Sequence, residues 1–125
     1  MQDVGAWVFS KLTTNAALVA LLGDDSHIVT SYPDEVTVFP LVIFRESNQP
    51  DALYNDNKPI ANESTFTIDV FVRDDTPTPI AMAVCDIFKT SLWACQYNED
   101  SPDTETMVRH RVMRFYRPIF PGDLV

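Results

Sequence analysis

The stretch Glu63-Ser64-Thr65-Phe66-Thr67-Ile68-Asp69-Val70-Phe71-Val72-Arg73 decides the fold. Side chains alternate across a strand, so Phe66, Ile68, Val70 and Val72 take one face. Thr65, Thr67, Asp69, Phe71 and Arg73 take the other. One side is apolar and one mixed, the pattern of a strand that buries a single face. Asp74-Asp75-Thr76-Pro77-Thr78-Pro79 stops it and starts a helix. Thr76 or Thr78 supplies a capping hydroxyl, and a proline fits the first turn because its missing N–H would lack a partner there anyway. Over 77–93, Ile80, Val84, Ile87, Phe88, Ser91 and Leu92 form one stripe, with Asp86, Lys89 and Thr90 opposite. Stripe and apolar strand face are predicted to pack together.

Upstream, Val4, Val8 and Leu12 recur at helical spacing beside Trp7. A break at Thr13-Thr14-Asn15 leads to a second short helix, Ala16 to Leu22, capped by Thr14 or Asn15 and closed by Gly23. A short strand, Ile28 to Tyr32, ends at Pro33. Val38-Phe39-Pro40-Leu41-Val42-Ile43-Phe44 is apolar on both faces, so that strand is buried on two sides. Pro40 has no N–H for the ladder and marks an edge or the strand's first residues. Ser47 to Asn62 is rich in Asn, Asp and Pro and lacks periodicity. It is a hairpin excursion or a binding loop.

Downstream, Ala94 to Tyr97 is a short candidate strand, Asn98 to Thr104 an acidic turn, and Glu105 to Tyr116 a strand. Neither face of that last strand is purely apolar, which suits a subunit interface. Pro118-Ile119-Phe120-Pro121 reads as an extended tail. The order predicts one α+β domain over residues 1–125, with helices on one face of a mostly antiparallel or mixed sheet of about four strands.

Composition narrows the function. The chain has 125 residues, 46% hydrophobic and 22% charged, as in an ordinary globular protein rather than a disordered one. At this length about two-thirds of the surface is buried on folding. Nine basic residues against 18 acidic give −9, which argues against coating nucleic acid or an anionic membrane. The charge is segregated: Arg109, Arg111, Arg114 and Arg117 lie near the C-terminus. Acidic residues gather at Asp24-Asp25, Asp51–Asp56, Asp74-Asp75 and Glu99–Glu105. The N-terminus lacks a basic leader region, and no stretch approaches ~18 consecutive apolar residues. The expectation is a protein made in the cytosol, with no membrane partner and with Cys85 and Cys95 reduced and structural.

Catalytic signatures are missing. There is no GxSxG, HExxH, paired-cysteine zinc pattern, phosphate loop or GxGxxG. His27 follows Asp24-Asp25-Ser26 and reads as an exposed turn residue; His110 reads as a partly buried or interface histidine. Asp74-Asp75 and Asp51–Asp56 lack the alternating ligand spacing of a calcium loop. Trp7, Trp93 and Tyr97 read as core or interface anchors. No catalytic, cofactor or metal residue is assigned, and the chain is read as a non-enzyme.

A longer pattern carries the functional expectation. A helix leads to Asn15-Ala16-Ala17-Leu18-Val19-Ala20-Leu21-Leu22-Gly23-Asp24. A strand ending Tyr32-Pro33 follows, then Phe39-Pro40-Leu41-Val42, then Thr65 to Val72, a helix, and an Arg-rich final strand. This layout resembles the tail-completion (tail-terminator) proteins of long-tailed bacteriophages along most of the chain, departing in the Asn-rich Ser47–Asn62 segment. The resemblance implies a virion protein assembled in the bacterial cytoplasm. It would form a hexameric ring at the head-proximal end of the tail, cap the tube protein and join it to the head connector. DNA would pass through the lumen without specific binding, and no cofactor is implied. Arg109, Arg111 and Arg114, with Asp74, Asp75, Asp51 and Asp56, are the interface candidates, meeting positive edge to negative edge between subunits. The alternative from another class is a small acidic adaptor or inhibitor-type module that meets a basic partner.

Overall fold

A computed structural model describes residues 4–31, 33, 36–46, 51–55, 58–102 and 107–120. The order is α1 (Val4–Thr14), α2 (Ala16–Leu22), a 3-10 turn (Asp25–His27), β1 (Ile28–Val29), β2 (Leu41–Glu46), β3 (Asp51–Asn55), β4 (Lys58–Arg73), α3 (Thr78–Lys89), β5 (Ala94–Pro102) and β6 (Val108–Ile119). It is an α+β fold with a six-stranded mixed sheet rather than one of about four strands. The strand order is β1-β2-β4-β6-β5, with β3 paired to β4 off that path. Only β1 and β2 run parallel.

Strand β4 organises the sheet. Its 16 residues span about 50 Å at ~3.3 Å per residue. One edge pairs with β6 from Asn62↔Ile119 to Arg73↔Val108. The other edge is shared. Phe66 to Phe71 pair with β2, and Lys58 to Asn62 pair with β3. Part of the 47–62 stretch is therefore a β3–β4 hairpin, and β4 starts five residues before Glu63. Residues 47–50, 56 and 57 lie outside the described residues.

The helices cover one face of the sheet. Phe66, Ile68, Val70 and Val72 join Val42, Phe44, Met113, Phe115 and Ile119 against Val4, Val8, Leu12, Leu18, Leu22, Ile80, Val84, Ile87 and Phe88. Phe66 centres an aromatic cluster, with ring centroids 4.7 Å from Trp93, 4.9 Å from Phe88, 5.3 Å from Phe115 and 5.7 Å from Phe44. Trp7 of α1 stacks on Trp93 at 6.1 Å, tying the first helix to the residue that enters β5. On the opposite face Leu41 and Ile43 are also buried, outside that cluster, so β2 is covered on both sides. Its ladder starts immediately after Pro40, which follows a cis peptide bond.

Capping follows local chemistry. Asn15 Oδ1 accepts the Leu18 N–H at 2.9 Å and starts α2; Gly23, at φ 87, ends it with its N–H on the Val19 carbonyl. At α3 the N-cap position is Pro77, with no side-chain cap bond; Thr76 Oγ1 accepts the Thr78 N–H at 3.3 Å instead. Helix α3 stops at Lys89, short of the 77–93 expectation. Leu92, read as part of the buried stripe, is 77% exposed, and Trp93 is buried. The predicted acidic turn at 98–104 is largely strand: β5 runs to Pro102, pairing antiparallel with β6.

Candidate assembly surface

The β4–β6 register sorts the basic strand. Arg109 and Arg111 stand opposite Val72 and Val70, on the helix side of the sheet. Arg114, His110 and Tyr116 stand opposite Thr67, Phe71 and Thr65, on the outer side. The two sets have different surroundings. Arg109 Nη2 forms an ion pair with Asp100 Oδ2 of β5. Arg111 Nε donates to Asn98 Oδ1 at 2.7 Å. Cross-strand pairs of this kind give a polar, acidic segment a reason to be a strand. Arg117 Nη1 donates to the Ser91 carbonyl at 2.9 Å, pinning β6 to the turn after α3. Arg114 is exposed on the outer face.

The acidic candidates fall into three places. Asp74 and Asp75 are exposed at the corner between β4 and α3. Asp74 takes φ 56, and its N–H donates to the Met107 carbonyl at 3.0 Å. Asp74-Asp75 thus share the end of the sheet where β6 begins, the same end as Arg109. Asp75 Oδ1 accepts the Thr76 N–H at 2.7 Å, a local turn bond. Asp51 opens β3 opposite Asn62, at the base of the hairpin's first strand. Asp56 lies outside the described residues.

The outer face also holds a polar cluster that the sequence reading missed. Asp69, in the middle of β4, is fully buried. Its Oδ2 accepts from Arg45 Nε at 2.8 Å and its Oδ1 from His110 Nε2 at 2.7 Å. A buried carboxylate is tolerable when such charge-assisted bonds replace its water. Because the carboxylate only accepts, Nε2 of His110 carries the proton. The imidazole stacks on Phe71 with centroids 4.1 Å apart and planes 11° apart. Arg45 keeps 46% of its side chain exposed and His110 28%, so the cluster faces outward through its two bases. The only sequence signal was an Asp on the mixed face of an otherwise apolar strand. Its partners come from β2 and β6, and register alone brings them together.

Other features are local. His27 is half-buried rather than exposed; its Nδ1 donates to the Pro40 carbonyl at 2.8 Å, holding the turn against the start of β2. Asp24 caps the 3-10 turn, and the Ser26 N–H on its carboxylate holds its pKa below the usual value. Among the described residues no group of three or more His, Cys, Asp or Glu could hold a metal ion, and no single helix is long and apolar enough to cross a membrane. An open cleft between α2 and α3 is lined by Asn15, Ala17, Thr78, Met82 and Asp86, a mostly apolar surface with one carboxylate at its rim.

No protein-family model and no curated protein matches this chain. Among solved structures it is similar to a chain from the virion of a native gene transfer agent particle. The two share 14% sequence identity and a TM-score of 0.65 over 92% of each chain, a likeness of fold across nearly the whole of both.

Proposed function

We propose that this chain is a structural protein of a phage-like virion. The observation that carries the reading is the shared fold over 92% of both chains with a component of such a particle. Within that class, the layout of helices, Phe39-Pro40 strand and Arg-rich final strand favours a tail-completion subunit. Copies would close into a hexameric ring that caps the tail tube and meets the head connector, with DNA crossing the lumen unbound. The sheet offers two chemically different surfaces for a head-to-tail contact. Its outer face presents Arg45, His110 and Arg114, and its helix side and corner present Asp86, Asp74 and Asp75. A ring places one against the other at each joint.

The test is to mix the purified chain with tail tubes and image them by negative stain, with the mass in solution measured in parallel. Rings at one end of the tubes support the proposal. A strict monomer that leaves tube ends bare overturns it, and if that monomer binds a basic protein, the adaptor class takes its place.

A further inference from the structure

The two cysteines, which the assembly reading does not use, come to the same side of the sheet. Cys95 is the second residue of β5, an edge strand of the sheet, and stands opposite Phe115. Phe115 belongs to the core under the helices, so Cys95 lies on the helix side. Cys85 is on the α3 turn above, its Sγ 3.8 Å from Met113 Sδ, and Met113 is two residues from Phe115 on the same face. The two cysteines thus share the helix side of the β5–β6 edge, Cys85 against Met113 and Cys95 across from Phe115. Cys95 is open to solvent and Cys85 half-buried, and neither is in a disulfide.

We propose that Cys85 and Cys95 form a redox-closing staple, a dithiol that oxidises to an intramolecular disulfide joining α3 to the edge strand β5. The oxidant is a low-molecular-weight disulfide such as glutathione disulfide. The exposed Cys95 thiolate attacks one of its sulfurs, forming a mixed disulfide and releasing one glutathione thiolate. The Cys85 thiolate then attacks the Cys95 sulfur and releases the second glutathione. Two protein thiols are oxidised, one glutathione disulfide is reduced to two thiols, and the two thiol protons end on the two glutathiones. The second step is intramolecular, between two cysteines on the same side of the sheet, so the mixed disulfide does not accumulate. Burial pushes the Cys85 thiol pKa up, with the neighbouring Cys95 adding to it, so closure accelerates as pH rises. In a reducing cytosol the pair stays open; in an oxidising medium it closes. The staple is independent of what the chain assembles into.

The experiment treats the folded chain with graded glutathione disulfide and reads intact mass, free thiols and a non-reducing peptide map. The expected product has lost two hydrogens and both free thiols, and carries a Cys85–Cys95 cross-linked peptide. Cys85→Ser should stop at one glutathione adduct on Cys95. Hydrogen exchange of the β5 amides should slow on oxidation and recover with reductant. A chain that instead carries glutathione on both cysteines, or forms only disulfide-linked dimers, overturns the proposal. So does Cys85→Ser reacting like the native chain.

Discussion

A carboxylate buried in the middle of a sheet is stable only while its donors stay in place, and Asp69 accepts from Arg45 through Oδ2 and from His110 through Oδ1. Removing a donor is therefore worse than removing a hydrogen bond at the surface, because a buried oxygen that loses a donor has no water to replace it. His110→Phe isolates that effect. The ring still stacks on Phe71, but the imidazole N–H to Asp69 Oδ1 is lost. The loss should be about 1–3 kcal/mol in urea unfolding. The double variant with Asp69→Asn should recover part of it, since the amide places no net charge in the site. If His110→Phe unfolds at the native urea concentration, the Asp69–His110 bond contributes nothing to stability. None of this cluster was legible in the sequence. A single Asp on a mixed strand face reads as solvent-facing, and the residues that cover it lie 24 and 41 positions away.

At the scale of elements, the centre of the fold was legible and the edges were not. The alternation from Thr65 to Arg73 and the stripe from Ile80 to Phe88 describe a strand and helix that do pack together, because apolar periodicity is a direct image of burial. Ile87→Asp should cost several kcal/mol, about 3 or more, by putting a carboxylate into the nearly closed space between α3 and the sheet. A variant that melts with the native protein would mean the stripe is not packed there. The first residues of β5, Ala94 to Tyr97, were legible; its continuation through 98–102 was not, because acidic and amide residues have little intrinsic strand preference, and Asp100 and Asn98 are held there by Arg109 and Arg111. The helix end was illegible for a different reason. The Trp93 N–H bonds the Phe88 carbonyl and the Leu92 N–H bonds the Lys89 carbonyl. That is the six-to-one and five-to-two pattern of a helix whose terminal residue turns left-handed. Glycine normally fills that place and signals the stop; here it is Leu92, at φ 65 and 77% exposed. Its side chain costs strain and buries little, so Leu92→Gly should raise stability by up to about 1 kcal/mol despite glycine's freer unfolded state. A lower melting temperature for Leu92→Gly would show that the exposed leucine makes contacts that outweigh the strain.

At the scale of the whole molecule, a chain of net charge −9 must offset self-repulsion wherever copies meet. Of the C-terminal arginines, Arg109 and Arg111 are engaged with Asp100 and Asn98 of their own chain, so reversing them would disturb the β5–β6 edge before it touched a neighbour. Arg114 probes the other face. It is exposed, sits on the outer face opposite Thr67, and leaves the helix-side core untouched. Arg114→Glu changes the charge by −2, from −9 to −11, while the monomer should melt within about 0.5 kcal/mol of native, as surface changes usually do. In a ring, the substitution places a negative charge where the proposed head-to-tail contact supplies a positive one. Rim pairs set orientation and association rate more than affinity, so ring or tail-cap formation should slow before it fails. The salt dependence separates this from a folding defect. At 0.01 M salt charges interact over about 30 Å and at 0.15 M over about 8 Å. The gap in assembly rate between native chain and Arg114→Glu should be widest at the lower concentration and narrow as salt rises. Light scattering or sedimentation across that range measures it. A gap of constant size would locate the effect in shape rather than charge, and no gap at any salt would remove the outer face of β6 from the joint between subunits.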